Sequence, residues 1–249
     1  MIALIGVFVF IYGLFITSFL QLVGERLPSH ETLLGRSHCD QCGRTLRMVH
    51  LIPLVGYALQ KGRCRGCGKP IRVRYVLFEL VGALAFLGAY LRFGLGLEFA
   101  VFAIIIAVLL VEVASDFEHL VVIDRVWLIG LVPLVVYRVF EGTLTTYLLS
   151  ALGLFALLFI IALLASKVYK QEALGGGDIK LFIFIGFALP FWEGVLTLFF
   201  AALFGTLYGL TQRKQQHPMA FVPWIALAVY VVYLFGPSMI AWYLSLLEG

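Results

Sequence analysis

Eight apolar runs, most of them near the length of a bilayer-spanning helix, divide this chain almost from end to end. A spanning helix needs about 20 apolar residues. Such runs cover residues 2–23, 75–93, 97–115, 122–140, 145–166, 178–190, 192–211 and 219–246. The sixth is short, and the eighth is long and interrupted by Gly236-Pro237. Of 249 residues 62% are hydrophobic and only 13% charged, with a mean hydropathy of +1.03. That composition excludes a soluble globular domain, a disordered chain and a secreted disulfide scaffold. Backbone groups in hydrocarbon must be satisfied within their own segment, so the runs are predicted to be helices. The polar-in, apolar-out alternation of a membrane barrel is absent. The expected fold class is therefore an all-α polytopic membrane protein with about eight transmembrane helices. The first run has no basic stretch before it and no small-residue cleavage site, so it reads as a retained helix rather than a cleaved signal. There is no internal repeat and no low-complexity tract.

Between Pro28 and Arg74 the character changes. Arg36, Arg44, Arg47, Lys61, Arg63, Arg65, Lys69, Arg72 and Arg74 all lie there, half of the chain's 18 Lys and Arg. The expected organisation is a first transmembrane helix over 1–27, a basic cytoplasmic domain over 28–74, and a transmembrane core of about seven helices over 75–249. Short basic loops stay cytoplasmic. With that loop inside, both termini are expected outside. The loop holding Lys167, Lys170 and Lys180, and the one holding Arg213 and Lys214, then fall inside as well. The expected outer connections, Phe93–Leu97, Glu141–Thr145 and Pro190–Gly194, carry almost no basic residues, with Arg92 and Arg138 as mild exceptions. The net charge of +4 is thus a signature of the inner membrane face, where anionic lipid attracts Lys and Arg at about 1 kcal/mol each. It does not point to nucleic acid. The lipid bilayer is the expected partner.

All four cysteines sit in the basic loop, as Cys39-x2-Cys42 and Cys64-x2-Cys67. Each pair suits a zinc knuckle, with two thiolates one tight turn apart and sulfurs about 2.3 Å from one ion. Gly43, Gly66 and Gly68 suit the sharp turns of such knuckles. A reducing cytosol disfavours disulfides. Four free thiols and a rubredoxin-like iron remain the alternatives. Four protein ligands close the site, so the metal is expected to organise the loop, supplying the folding energy that a short polar segment lacks.

Acidic groups inside a membrane are costly and usually functional. The third run ends in Glu112-Val-Ala-Ser-Asp116-Phe-Glu118-His119, followed by Asp124, and the sixth begins Gly175-Gly176-Gly177-Asp178-Ile-Lys180. The topology brings Asp116 and Asp178 to similar depth at the cytosolic face. Two carboxyls at near contact share a proton and titrate as a unit. The ionised one can take a proton from water and the protonated one can donate to a scissile carbonyl, as in an aspartic protease. Glycines before Asp178 let a substrate backbone approach. The alternative is that both are interfacial residues at helix ends, Asp178 being favoured by a helix amino terminus. A phosphate loop over Gly175–Gly177 lacks the pattern such loops require.

Taken together these residues resemble the type IV prepilin peptidases and N-methyltransferases, members of the G-x-G-D membrane aspartyl proteases. The likeness covers nearly the whole chain. It rests on Ser18-Phe-Leu, Arg26-Leu-Pro28, Cys39, Cys42, Leu51-Ile-Pro-Leu54, Lys61-Gly-Arg-Cys64, Cys67, Arg74-Tyr75, Glu79-Leu80, Asp116-Phe-Glu-His with Asp124, and Gly175-Gly-Gly-Asp178-Ile-Lys180-Leu. The resemblance implies that Asp116 and Asp178 are the catalytic dyad. It implies cleavage of the basic leader from prepilins or pseudopilins after a glycine, in pilus assembly or type II secretion. It also implies methylation of the new amino terminus with S-adenosyl-L-methionine, at the cytosolic face of the inner membrane.

The chain departs from the family pattern at Thr17, Gln21, Glu118 and Ile123, and Phe221-Val-Pro-Trp224 matches the family's P-F-G-P only loosely. Asp124 is the alternative first acid or a supporting residue. Lys180 is a candidate for tuning the charge of Asp178, or snorkels to lipid headgroups. Glu112 reads as facing a polar interior and His119 as interfacial. Glu79 is a candidate acceptor for the peptide's amino group in methyl transfer, or else a partner of Arg72 or Arg74. Competing functions are a peptidase without methyl transfer, a proton-coupled transporter built on paired acids, and a zinc-stabilised assembly scaffold.

Overall fold

A computed structural model describes residues 2–39, 41–170, 174–211 and 219–247. The described residues are helical throughout, apart from turns and two isolated bridges. Helix α1 runs over Ile2–Arg26. A 3-10 turn at Met48–Leu51 and a short α2 at Val55–Leu59 follow in the basic loop. Then come α3 Val73–Phe93, α4 Leu97–His119, α5 Asp124–Phe140, α6 Leu144–Tyr169, α7 Gly176–Ala188, α8 Phe191–Thr211 and α9 Val222–Leu247.

Each apolar run is thus a helix, and the loops are where turn chemistry stops them. After α3, Gly94 takes φ +67 and returns its N–H to Tyr90 O, and Gly142 takes φ +70 beyond α5. Glycine is the residue such left-handed caps favour. Six helices, α1, α3, α4, α6, α8 and α9, are long and apolar enough to cross a membrane. The expectation of eight spans is met only to that extent. Helix α7 has 13 residues, a rise of about 20 Å against the ~30 Å hydrocarbon core. It packs against α5, α6 and α8, and Leu181, Phe182, Phe184 and Ile185 are fully buried. An apolar run covered by protein reads in sequence like one covered by lipid. The anticipated break at Gly236-Pro237 does not occur, since α9 continues through Pro237. Prolines are tolerated in apolar helices whose neighbours re-satisfy the backbone.

The chain forms two compact units, Met1–Ala114 and Ser115–Gly249, divided within α4. In the first, α1 lies against α3. Gly13 faces the Ala83 backbone, and Gly82 leaves room for Thr17 and for no Cβ of its own. In the second, α6 and α7 approach closely at Gly186 and Ala151, and α8 packs on α9. Of the expected inner-loop cations, Lys167 ends α6, Lys170 closes it in a left-handed turn at φ 54, and Lys180 lies in α7. Arg213 and Lys214 lie outside the described residues.

Candidate active site and metal centre

In the second unit three chain segments converge on Asp116. It sits in the last turn of α4, 6% exposed. Just beyond it the chain reverses: Leu120 adopts φ 55 and gives its N–H to Asp116 O, while Ser115 Oγ donates to Val121 O at 2.6 Å. Against this turn lies the start of α7. A Cβ on Gly177 would stand 2.8 Å from Val122 Cβ, so only glycine lets the helix end approach so closely. A Cβ on Gly175 would stand 3.0 Å from Asp178 Oδ2, whereas Gly176 has open space around it. Asp178 occupies the third position of α7, where unsatisfied backbone N–H groups favour a carboxylate. It lies within reach of the Asp116 charge. The two acids, far apart in sequence, come together within one unit.

The third segment is the start of α9. Val222 is its first residue, and its N–H has no partner within the helix. It donates to Asp116 Oδ2 at 2.8 Å. Val222 belongs to the Phe221–Trp224 stretch whose match to the family pattern is loose. No side chain signals a backbone donor, so nothing in the composition of that stretch reveals this contact.

Asp124 stands apart from the pair. Its Oδ2 accepts a 2.7 Å bond from Lys180 Nζ, and its Oδ1 accepts from Trp127 Nε1 at 3.3 Å. Asp124 and Lys180 therefore clip the start of α5 to the start of α7. Glu112 is fully buried one helical turn before Asp116, and His119 closes α4 half-buried. At the opposite end of α7, Arg138 is 5% exposed. It donates from Nε to Phe187 O at 3.2 Å and from Nη2 to Ala188 O at 3.0 Å, and its guanidinium lies 3.4 Å from the Tyr147 ring centroid. This satisfies carbonyls that a helix end leaves open. A cation that looked like a topological exception is a helix cap.

The first unit holds the cysteines. The Sγ atoms of Cys39, Cys42, Cys64 and Cys67 all lie within 4.8 Å of one another, and all four are free thiols. The two halves share one construction. Cys39 N bonds Arg44 O and Gly43 N returns to Cys39 O, just as Cys64 N bonds Lys69 O and Gly68 N returns to Cys64 O. Gly43 and Gly68 hold φ +68 and +72, which is why glycines stand there. At Gly66 a Cβ would stand 2.9 Å from Arg44 Cδ, so the glycine lets the Arg44 side chain lie across this turn. Backbone N–H groups of Cys67 and Gly66 pull the Cys64 thiol down to about 6, toward the thiolate that metals require. Tetrahedral thiolates about a zinc-sized ion stand about 3.8 Å apart, so the donor set fits a metal ion.

Glu79, in α3, accepts a hydrogen bond on each oxygen. Its Oε1 accepts from Ser18 Oγ at 2.8 Å and its Oε2 from Leu54 N at 2.9 Å. Arg74 Nη2 approaches Glu25 Oε1 at 3.8 Å.

Comparison with known proteins settles the family. Residues 102–210 match the type IV leader peptidase family, and residues 11–93 match the bacterial peptidase A24 N-terminal domain. A prepilin leader peptidase/N-methyltransferase of Bacillus subtilis (strain 168) is 35% identical over 246 residues, covering 96% of this chain and 98% of that protein. This chain belongs to the type IV leader peptidase family. Proteins of the same name from Myxococcus xanthus (strain DK1622) and Aeromonas hydrophila are 31% and 26% identical, over 83% and 95% of this chain. The chain spans 63% of the Myxococcus protein and 93% of the Aeromonas one. No solved structure matches.

Proposed function

We propose that this chain is a membrane aspartyl endopeptidase that removes leader peptides from prepilins or pseudopilins after a glycine, and then N-methylates the new amino terminus. Three observations support it: the family, the names of relatives aligned over most of the chain, and a chain with six helices long and apolar enough to cross a membrane that also carries paired acids in its second unit. The single observation that carries the chemistry is the meeting of Asp116 and Asp178, with the Val222 N–H fixed on Asp116.

In this reading Asp116 is the ionised acid, its charge facing the orphan N–H at the start of α9. It accepts a proton from a water molecule that attacks the scissile carbonyl carbon. Asp178, protonated, donates to the carbonyl oxygen. Collapse of the tetrahedral intermediate breaks the C–N bond: the proton held by Asp116 passes to the departing amine, and a hydroxyl proton of the gem-diol returns to Asp178, which leaves a carboxylic acid and restores the pair. Gly175 and Gly177 hold the two helix ends close. Asp124 and Lys180 act as positioning residues that fix the start of α7.

The methyl donor is read as S-adenosyl-L-methionine, which supplies an electrophilic methyl group to the amine freed by cleavage. Glu79, with both oxygens occupied, serves as a clip between α1, α3 and Leu54 rather than as the amine's acceptor. The four-cysteine site is read as structural zinc, since four thiolates leave no open position for chemistry. We also read α5 and α7 as lying at membrane depth, α7 being shielded by its neighbours. By the charge rule, the cysteine loop and the acid-bearing helix ends face the cytosol of an inner membrane.

Processing of a prepilin by the wild type, Asp116→Asn and Asp178→Asn tests the proposal, with intact folding checked alongside. Each variant is expected to lose cleavage by at least about 10²-fold, the scale of a lost acid–base group. Near wild-type cleavage by either would end the dyad assignment. Labelling of a mature pilin peptide with methyl-labelled S-adenosylmethionine tests methyl transfer separately.

A further inference from the structure

Within the basic loop, the stretch from Met48 to Leu59 is an apolar exception. Met48, Val49, Leu51, Ile52, Val55 and Leu59 are all exposed, Met48 to 82%. Contiguous exposed apolar surface marks a binding site. Three further observations say what covers it.

The first is depth. Leu54 is pinned by its N–H to Glu79, which also holds Ser18. Glu79 lies six residues into α3 and Ser18 eight residues before the end of α1. At 1.5 Å per residue, Leu54 sits about 9–12 Å inside the ends of those two helices. Their charged ends, where Arg74 meets Glu25, lie farther out. The middle of the apolar stretch is therefore anchored at the level of Leu77 and Val81 on α3, themselves more than half exposed.

The second is backbone satisfaction. His50 N bonds Arg47 O, Gly56 N bonds Ile52 O, Ala58 N bonds Leu54 O and Gln60 N bonds Gly56 O. Local helical bonding of this kind is what a hydrocarbon boundary demands. Leu54 holds a left-handed φ of 58, a conformation uncommon for a bulky residue and fixed here by the Glu79 contact.

The third is charge. Arg47 precedes the stretch and Lys61 and Arg63 follow it, all exposed. Basic side chains flanking an apolar face suit a leaflet bearing anionic headgroups.

We propose that residues 48–59 form a membrane-docking wedge, with apolar side chains among the acyl chains and Arg47, Lys61 and Arg63 on anionic phospholipid headgroups. It rests on α1 and α3 being spanning helices and is independent of the catalytic reading. The test uses full-length protein in vesicles of phosphatidylglycerol and phosphatidylethanolamine. A p-benzoylphenylalanine photoprobe replaces Met48 or Val55, and Gln41 as the exposed control. Lipid adducts at 48 and 55 are expected several-fold above those at 41. They should fall several-fold in phosphatidylcholine vesicles, and Val55→Asp should remove the adduct at 48 while metal content stays unchanged. Adducts at 48 and 55 no greater than at 41 would overturn the proposal. So would adducts found only on a second copy or on an added pilin peptide, or equal yields in both lipids. Because the readout is a lipid adduct, it stands or falls apart from prepilin cleavage.

Discussion

Val222 gives its backbone N–H to Asp116 Oδ2 across 2.8 Å, joining the first turn of α9 to the last turn of α4. A helix amino terminus aims its orphan donors and positive dipole end at such a carboxylate. The contact holds the acid's orientation at a position only 6% exposed.

Removing that donor should therefore cost activity more than stability. Val222→Pro deletes the N–H at a helix start, where proline's φ fits and the preceding Phe221 is already non-helical. Hydrogen bonds to charged groups contribute about 1.5–3 kcal/mol, so prepilin cleavage should fall by roughly 10- to 100-fold. Val222→Ala keeps the N–H and should cleave near the wild-type rate per folded molecule, despite a lower melting temperature. Equal losses in both variants would assign the effect to the side chain.

The three glycines before Asp178 should separate cleanly. Gly177→Ala pushes a methyl group against Val122, and Gly175→Ala pushes one against Asp178 itself, while Gly176→Ala meets open space. Overpacking costs about 1–3 kcal/mol, here spent in displacing the acid-bearing end of α7. Cleavage assays should show strong loss at 177 and 175, and near wild-type rates at 176.

How far the sequence carries these features depends on the range of the physics behind them. The cysteine site is legible because each knuckle is a local turn, written in a few consecutive residues. The approach of Asp116 to Asp178 follows from counting segments between basic loops, and from the G-x-G-D likeness. Length and apolarity locate α7, yet a 13-residue helix walled in by α5, α6 and α8 has the same composition as a lipid-facing one. Val222 is illegible, since a backbone donor has no side chain to announce it. Arg138 stands out as a misplaced charge, but its role needs the three-dimensional position of Phe187 and Ala188. Glu79 reads in sequence as an isolated acid, and its bonds to Ser18 and Leu54 need the fold to be seen.

The clip between Lys180 and Asp124 should matter less than either acid of the pair. Both side chains are about half exposed, 51% and 45%, and such ion pairs contribute about 0–1 kcal/mol. Asp124→Asn and Lys180→Met should each reduce cleavage by no more than about fivefold. The exchange Asp124→Lys with Lys180→Asp should recover part of the loss. A complete loss with Asp124→Asn would move that residue into the catalytic pair.

Metal removal should act on the first unit. Strong chelation, or Cys64→Ser, should strip the bound ion, measured as metal per chain. Trypsin should then cut at the basic residues between Arg36 and Arg74, where the knuckle turns hold no apolar core of their own. The fragment from Ser115 onward should keep its protection, because its helices pack without the cysteines. A loop that resists trypsin after complete metal loss would show that the knuckles fold unaided.

Arg138 should prove a positioning residue acting through the full length of α7. Its guanidinium bonds the Phe187 and Ala188 carbonyls, approaches Glu141 Oε2 at 3.3 Å and lies against Tyr147. Losing it leaves two buried carbonyls bare at one end of a helix whose other end carries Asp178. Unsatisfied buried groups cost about 1–3 kcal/mol each, so Arg138→Leu should destabilise the detergent-solubilised protein by about 2–6 kcal/mol. Arg138→Lys should recover only part, since an ammonium lacks the planar fork that spans two carbonyls and stacks on a ring. If α7 transmits the shift, the lysine variant should also cleave more slowly at a temperature where it is fully folded. Unchanged cleavage there would confine Arg138 to stability, and would show that the start of α7 is held by Gly177, Asp124 and Lys180 alone.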